Sequence, residues 1–133
     1  MHGIEFIDLE NRGDARGLMF NVEKADCSFI GEAQNIHFGT VQPGAIRGNH
    51  VHFSKRELLL ISYSDDWTFL WSEKGAVTPE VRMFQGCGAV LIKIPPEVPH
   101  TIQNTGTAVL QFIALSDKEF SIEHPDTLRQ SLV

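Results

Sequence analysis

Two histidines that alternate along one short segment are the side chains best suited to chemistry in this sequence. His50 and His52 are separated by one residue, and in an extended strand residues i and i+2 project from the same face. Five residues after His52, Glu57 opens a second extended run, and a turn between the two would bring its carboxylate to the same point. His100, far downstream, would supply a fourth ligand. Three imidazoles and one carboxylate favour a divalent transition metal such as Zn, Fe, Ni, Mn or Co over Mg or Ca.

The segments that must position these side chains are short and rich in β-branched and aromatic residues. Turn-forming residues separate them. We predict strands over residues 18–24, 34–42, 57–63, 67–72, 79–84, 89–94, 100–103 and 108–116. Eight short strands at regular spacing indicate an all-β sandwich or barrel. The tail over residues 126–132 carries a helical signal, and Asp126 is of the type that caps a short C-terminal helix.

Length and composition predict a single domain that spans residues 1–133. The 133 residues are 42% hydrophobic, which is enough for one core, and the formal net charge is −6. A negative net charge disfavours nucleic acid and anionic membrane surfaces as partners. The N-terminus resembles no signal peptide, and no apolar run reaches membrane-spanning length, so we expect a cytoplasmic protein. In that reducing compartment Cys27 and Cys87 are expected to be buried free thiols.

Two segments resemble the sequence motifs of the cupin superfamily. The segment from Gly44 to Glu57 is similar to the first motif, which runs Gly, five residues, His-x-His, three or four residues, Glu, six residues, Gly, although Ser64 stands for the last Gly. Residues 95–104 are similar to the second motif, Pro-x-Gly-x-x-His-x-x-x-Asn, with Glu97 in place of Gly. The resemblance implies a double-stranded β-helix, the cupin jelly-roll barrel, with the site inside the barrel.

Cupins of this size commonly pair as homodimers by adding or exchanging edge strands. The resemblance therefore implies a homodimer, and residues 4–9 are the segment expected to exchange. Trp67, Phe69 and Trp71 alternate along one predicted strand and are expected in the core. We expect His37 to be a hydrogen-bonded structural residue. The other two histidines, His2 and His124, are expected to be exposed.

The residues around the histidine pair resemble those of one group of enzymes within the cupin superfamily. Arg47-Gly48-Asn49-His50 resembles the Arg-Gly-x-His segment of cupin-type sugar-nucleotide enzymes: the deoxysugar 3,5-epimerases, the 3,4-ketoisomerases and the cupin domain of capsular-polysaccharide reductase/epimerases. Carried over here, Arg47 would bind a diphosphate and His50 would remove a proton next to a ketone, with His52 or a metal steadying the enolate. Tyr63 would be the acid that 3,5-epimerases use, and Phe53 would line the mouth of the site.

These implications predict an isomerase or epimerase that acts on a nucleotide-linked keto-sugar in polysaccharide or deoxysugar biosynthesis. They conflict at one residue, because an imidazole bound to a metal has no lone pair left to serve as the base. His50 is thus either a ligand or the base. Two other interpretations stay open: an Fe(II)-type cupin dioxygenase, which would not need Arg47, and a non-catalytic module that binds a metal or a sugar.

Overall fold

Short antiparallel strands account for nearly all of the regular structure. The computed structural model describes residues 3–73, 76–123 and 125–133, so His2 and His124 lie outside the described residues. Within those ranges the chain forms ten strands and one helix of four residues. In chain order they are β1 (Glu5–Leu9), α1 (Lys24–Cys27), β2 (Asn35–Val41), β3 (Ile46–His52), β4 (Glu57–Tyr63), β5 (Trp67–Trp71), β6 (Glu80–Phe84), β7 (Gly88–Ile94), β8 (His100–Gln103), β9 (Leu110–Ser116) and β10 (Thr127–Arg129).

The strands form two five-stranded sheets. The first sheet has the order β1-β7-β4-β9-β2 and the second the order β10-β3-β8-β5-β6, and all pairings are antiparallel. The strands that carry the histidines and Glu57 therefore lie on facing sheets, with β3 and β8 adjacent in the second sheet and β4 central in the first. The all-β jelly-roll prediction is confirmed.

The main core lies between the sheets, and β4 shows why its sequence is apolar at almost every position. Leu59 and Ile61 share the face of Glu57 and pack in the inner core, whereas Leu58 faces outward into a second cluster. A strand that is covered on both faces reads as a continuous apolar run. The aromatic stripe of β5 was predicted correctly, since two of its rings are fully buried and the third packs against them, namely Trp67, Phe69 and Trp71.

Two predicted elements are wrong. Residues 18–24 form no strand, because the segment lies over the outer face of the first sheet, where Val22 packs against the second cluster, and does not pair with a sheet edge. Leu18 and Met19 are 57% and 62% exposed. The tail forms strand β10 instead of a helix, because Thr127–Arg129 pair with β3. The thiols of Cys27 and Cys87 are free as expected, but they are exposed and not buried. Among the described residues there is no helix long and apolar enough to cross a membrane.

Candidate functional site

A bulge in β3 sets the position of the first histidine. Gly48 pairs with Thr101 and His50 with His100, so the register shifts by one residue at Asn49. Gly48 has a φ of 103°, and a Cβ there would lie 2.8 Å from the carbonyl oxygen of His100, so glycine alone fits the position. Asn49 has a φ of 52°, and its N–H donates to Thr101 Oγ1 at 2.9 Å. The bulge thus places His50 directly across from His100.

Three of the predicted metal ligands converge. The Nε2 atoms of His50 and His100 are 3.2 Å apart. The ring centroid of His50 lies 4.6 Å from the centroid of His52 and 4.7 Å from that of His100. The centroids of His52 and His100 are 5.5 Å apart. One nitrogen from each ring lies within 4.8 Å of the other two. The ring of Phe69 lies nearly parallel to His100, with an interplanar angle of 14° and centroids 6.2 Å apart, which limits rotation of that imidazole.

Hydrogen bonds determine which ring nitrogen faces the cluster. His100 Nδ1 lies 3.0 Å from the carbonyl oxygen of Val98, and His52 Nδ1 lies 3.1 Å from that of Asp126. A carbonyl oxygen only accepts, so both Nδ1 atoms carry the proton and both Nε2 atoms present lone pairs. Among the described residues His52 Nε2 is buried and finds no hydrogen-bond partner. Metal-ligating histidines show this arrangement, and an uncompensated buried lone pair is costly, so the site fits a cation.

The fourth predicted ligand, Glu57, lies beside the histidines. Its Oε1 is 3.8 Å from His100 Nε2, and its Oε2 is 3.9 Å from Lys55 Nζ. Only 5% of the residue is exposed. Burial raises the pKa of Glu57 to about 7, although the positive charge of Lys55 acts in the opposite direction. The three imidazoles form the group whose ligand atoms lie close enough to hold one metal ion, and the Glu57 carboxylate lies beside this group, nearest to His100.

The imidazoles are neutral at physiological pH in this arrangement. Burial, followed by the positive charge of Lys55, lowers the pKa of His50 and of His52 to about 4. Burial and the neighbouring His50 ring lower the pKa of His100 to about 3. Neutral imidazoles are both metal ligands and proton acceptors, so the electrostatics suits either chemistry.

A cavity of about 670 Å³ opens over the histidines between the two sheets. Arg47, Lys55 and the histidine cluster provide its polar wall, and the apolar wall comes from Ile46, Leu59, Ile102, Phe112, Ala114 and Phe120. Arg47 is exposed, which places it where the cavity meets solvent. Its Nε–H donates to the carbonyl oxygen of Thr40 at 2.8 Å, and its Cζ lies 5.9 Å from the centroid of the Phe112 ring. These contacts hold the guanidinium at the mouth.

Two predicted site residues are not brought to this cavity. Tyr63 lies at the opposite end of β4 from Glu57, and its ring centroid is 5.7 Å from those of Trp67 and Phe84. Phe53 is 53% exposed and lines a separate depression of about 300 Å³. Because Phe53 follows the second ligand histidine by one residue, its side chain points to the other face of the sheet.

Sequence reasoning missed several residues at the site. Lys55 lies in the turn between β3 and β4 and lines the cavity, a role that its place between two predicted ligands could have indicated. His37 is hydrogen-bonded as expected, with Nδ1 3.2 Å from Asn35 Oδ1, but it also lines the cavity, because alternate residues of β2 face the barrel interior. Asp126 and Thr127 contact His52 from the other end of the chain, and no local signal marks them.

Comparison with known proteins gives one family. The model of a family described as the polysaccharide biosynthesis C-terminal domain matches residues 12–128. No curated protein sequence matches the chain significantly.

Solved structures share the fold at low sequence identity. The 3,4-ketoisomerase QdtA from Thermoanaerobacterium thermosaccharolyticum, crystallised with TDP, has a TM-score of 0.72 and 17% identity over 98% of this chain and 90% of its own. The rmlC epimerase of Mycobacterium tuberculosis has a TM-score of 0.73 and 15% identity, with 96% and 68% covered. The capsular polysaccharide assembling protein CapF from Staphylococcus aureus has a TM-score of 0.66 and 22% identity over 92% of this chain, which spans 34% of CapF. These similarities confirm the cupin fold that the two motifs predict.

Proposed function

The chain belongs to the polysaccharide biosynthesis C-terminal domain family, and from this premise we propose that it is an isomerase or epimerase of a nucleotide-linked keto-sugar. One observation carries the proposal: Arg47 and His50 line the same cavity, so a phosphate-binding guanidinium and a neutral imidazole face one space. The shared fold of a TDP-binding ketoisomerase and an epimerase supports this substrate class. The dioxygenase interpretation leaves Arg47 without a role.

The charges of the cavity suit a diphosphate. The protein carries a formal net charge of −6, yet this wall of the cavity presents Arg47 and Lys55. The Nε–H of Arg47 is bonded to Thr40, which orients the terminal nitrogens of the guanidinium as a fork for phosphate oxygens. We assign the diphosphate to Arg47 at the mouth, with the sugar directed inward to the histidines.

His50 is the residue that we assign as the base. It is the least buried of the three imidazoles and lines the cavity in its neutral form. His50 would take the proton from the carbon next to the ketone, and the electron pair of that C–H bond would form the enolate. A proton delivered from solvent to the opposite face of this carbon would give an epimer. Protonation of the former carbonyl carbon by His50 would give an isomeric ketone, provided that the hydroxyl on the first carbon loses its proton to become the new carbonyl and the enolate oxygen takes up a proton.

The enolate oxygen needs a positively charged partner. His52 and His100 present lone pairs to the cavity, so they cannot be that partner. The residues present fit a transition metal that would be held by His50, His52 and His100 with Glu57 beside them. Such a metal would act as a Lewis acid that polarises the carbonyl. The cation that the chain itself offers is Lys55, whose Nζ lies 3.9 Å from Glu57.

The metal and the base compete for His50, and one experiment separates them. Tag-free protein is assayed for metal content and then incubated with TDP-4-keto-6-deoxyglucose in D2O, with and without added metal, while proton NMR follows deuterium entry next to the ketone. We expect wild-type exchange, and a loss of about 10²- to 10⁴-fold for His50→Gln, the usual range for a general base. If added metal abolishes exchange, His50 is the base of a metal-free reaction.

A matched pair of arginine variants tests the phosphate assignment. Arg47→Ala is expected to raise KM about tenfold or more with a smaller change in kcat, because it removes a charged hydrogen-bonding partner of the substrate. Arg12→Ala, which removes an exposed arginine far from the cavity, should change neither. Absence of exchange in wild-type protein under every metal condition would contradict the proposed function and leave a binding module.

The predicted homodimer is also retained as a proposal, but with a different edge. The segment expected to exchange pairs with β7 of its own chain as β1. Strand β2 ends the same sheet on the other side, and in the described part of the chain it pairs only with β9. Its outward residues Ile36 and Phe38 are 59% and 79% exposed. An unpaired edge flanked by exposed apolar side chains favours pairing with a second copy.

A further inference from the structure

The C-terminal residues return to the histidine cluster after a surface excursion. Strand β10 pairs with β3 in a register that places Thr127 opposite His52 and Arg129 opposite His50. Asp126 precedes this strand and lies 74 residues from His52 along the sequence. The tail therefore lies next to the histidine cluster because of the fold and not because it is close in sequence.

Asp126 joins the tail to the turn between β3 and β4. Its carboxylate accepts hydrogen bonds at 2.9 to 3.2 Å from three consecutive backbone N–H groups, those of Phe53, Ser54 and Lys55. The turn connects the second ligand histidine to Glu57. One side chain thus holds in place the backbone between two residues of the cluster.

The tail also fixes the orientation of His52. The carbonyl oxygen of Asp126 lies 3.1 Å from His52 Nδ1, and Thr127 Oγ1 lies 3.0 Å from the same atom. Both can accept the Nδ1 proton. A neutral imidazole whose proton is held at Nδ1 must present its lone pair at Nε2, and this is the atom that is buried without a partner beside the cluster.

A second fastening keeps the tail in register. Asn49, the residue at the bulge, accepts the N–H of Leu132 with its side-chain oxygen at 2.8 Å. Its carbonyl oxygen accepts the N–H of Gln130 at 2.7 Å. Asn49 is 6% exposed, so a buried residue at the bulge that positions His50 is linked by hydrogen bonds to the residues that follow β10.

We propose that Asp126, here named the C-terminal clamp, is a positioning residue: its carboxylate fastens the tail to the turn and so keeps its own carbonyl oxygen on His52 Nδ1, which holds His52 in its Nδ1–H form with Nε2 aimed into the cavity. The role in turnover rests on the proposed function, but the effect on the tautomer does not. The clamp acts through His52 and does not itself touch the reacting atoms.

Nitrogen-15 NMR of the imidazole rings tests the clamp directly. In metal-free protein kept with a chelator, two-bond proton–nitrogen correlations report whether the proton of His52 is on Nδ1 or Nε2. We expect wild-type His52 as the Nδ1–H tautomer. Asp126→Ala frees the tail from the turn, so the carbonyl oxygen of residue 126 can move away from His52 Nδ1, and the ratio of Nδ1–H to Nε2–H should fall at least threefold. Asp126→Asn, which keeps an acceptor oxygen, should shift the ratio in the same direction by a smaller factor. Thr127→Val keeps the carbonyl oxygen, which only accepts, and should leave Nδ1–H as the major form.

A matched control separates positioning from loss of stability. Asp117 Oδ1 accepts the N–H of Arg56 at 2.9 Å in the same connection, without contacting His52. Asp117→Ala should lower the melting temperature and leave the His52 tautomer unchanged. In the exchange assay Asp126→Ala should lose about tenfold in kcat with KM within twofold.

Two outcomes decide the matter independently of the proposed reaction. An unchanged tautomer ratio in Asp126→Ala, or a switch to Nε2–H in Thr127→Val, would overturn the clamp. If the ratio shifts as expected while wild-type protein shows no exchange with the keto-sugar, the clamp stands and the proposed function fails. If Asp126→Ala does not fold, Asp126→Asn, which keeps the size of the side chain, provides the same test, and an unchanged ratio in that variant would overturn the clamp.

Discussion

Replacing Asn104 with alanine should destabilise the fold by about 3 kcal/mol, because its buried side chain makes three hydrogen bonds worth about 1 kcal/mol each. Nδ2 donates to the carbonyl oxygens of Val41 and Ala108 at 2.9 and 2.8 Å, and Oδ1 accepts the N–H of Gly106 at 3.1 Å. Asn104 is 1% exposed, so water replaces these partners poorly. The residue joins the end of β8 to β2 and to the turn before β9.

Urea unfolding, followed by the fluorescence of the buried Trp67, measures this loss. With an m-value of roughly 2 kcal/mol/M, the midpoint should fall by about 1.5 M. Thr107→Val is the matched control, since it removes one exposed hydrogen bond, from Thr107 Oγ1 to Asp65 at 2.7 Å, and should cost about 0.5 kcal/mol or less. If Asn104→Ala lowers the free energy of unfolding by less than about 1 kcal/mol, the three hydrogen bonds do not stabilise the connection between β8, β2 and the turn before β9 as argued. If Asn104→Ala loses activity while its stability is unchanged, Asn104 acts in the reaction and not in the stability of the fold.

Three further outcomes are expected. Zn²⁺ in excess should raise the melting temperature of metal-free wild-type protein but not that of His52→Ala, because a ligand that binds only the folded state stabilises it; equal shifts would exclude the histidine site. Phe38→Asp should hold the protein monomeric in light scattering at concentrations where wild type dimerises, and a dimeric variant would exclude the β2 edge. Burial acts to raise the pKa of Asp126, but the N–H donors of the turn outweigh it and lower the pKa. Its contribution is thus present above an unfolded pKa of roughly 4 and is lost as pH falls through the folded pKa. Urea midpoints of wild type and Asp126→Asn should differ at pH 7 and converge in acid, and a constant difference would contradict this.

The parts of the site that follow from local spacing were predicted from the sequence. Alternation along β3 places His50 and His52 on one face, and the motif spacing places Glu57 and His100 opposite them. Glu97, which stands in place of a motif glycine, adopts a φ of 67°, the left-handed conformation that glycine would favour. The backbone conformation of the motif is thus kept without its usual residue.

The parts that depend on distant pairing were not predictable. Strand β10 has only three residues, too few to show the alternation that marks a strand, and its conformation is set by pairing with β3. Asp126 was assigned to a helix cap because aspartate favours both caps and turns. The fold decides which N–H groups donate hydrogen bonds to the carboxylate of Asp126. The sequence around Asp126 carries no information about a turn more than 70 residues away.

The position of the protons on the imidazoles explains how one motif can serve two chemistries. Nδ1 of His52 and of His100 is held by backbone carbonyl oxygens, so their Nε2 lone pairs point at a common centre whatever occupies it. If a metal were bound there, His50 would be its third ligand and the metal would supply a Lewis acid. In the proposed metal-free reaction, the 3.2 Å contact between His50 and His100 would let His50 Nε2–H donate to the lone pair of His100, and His50 Nδ1 would keep the lone pair that a base needs. His52 Nε2 is buried and has no hydrogen-bond partner in the described structure, so this position favours an occupant that supplies positive charge or a proton, which both chemistries would do.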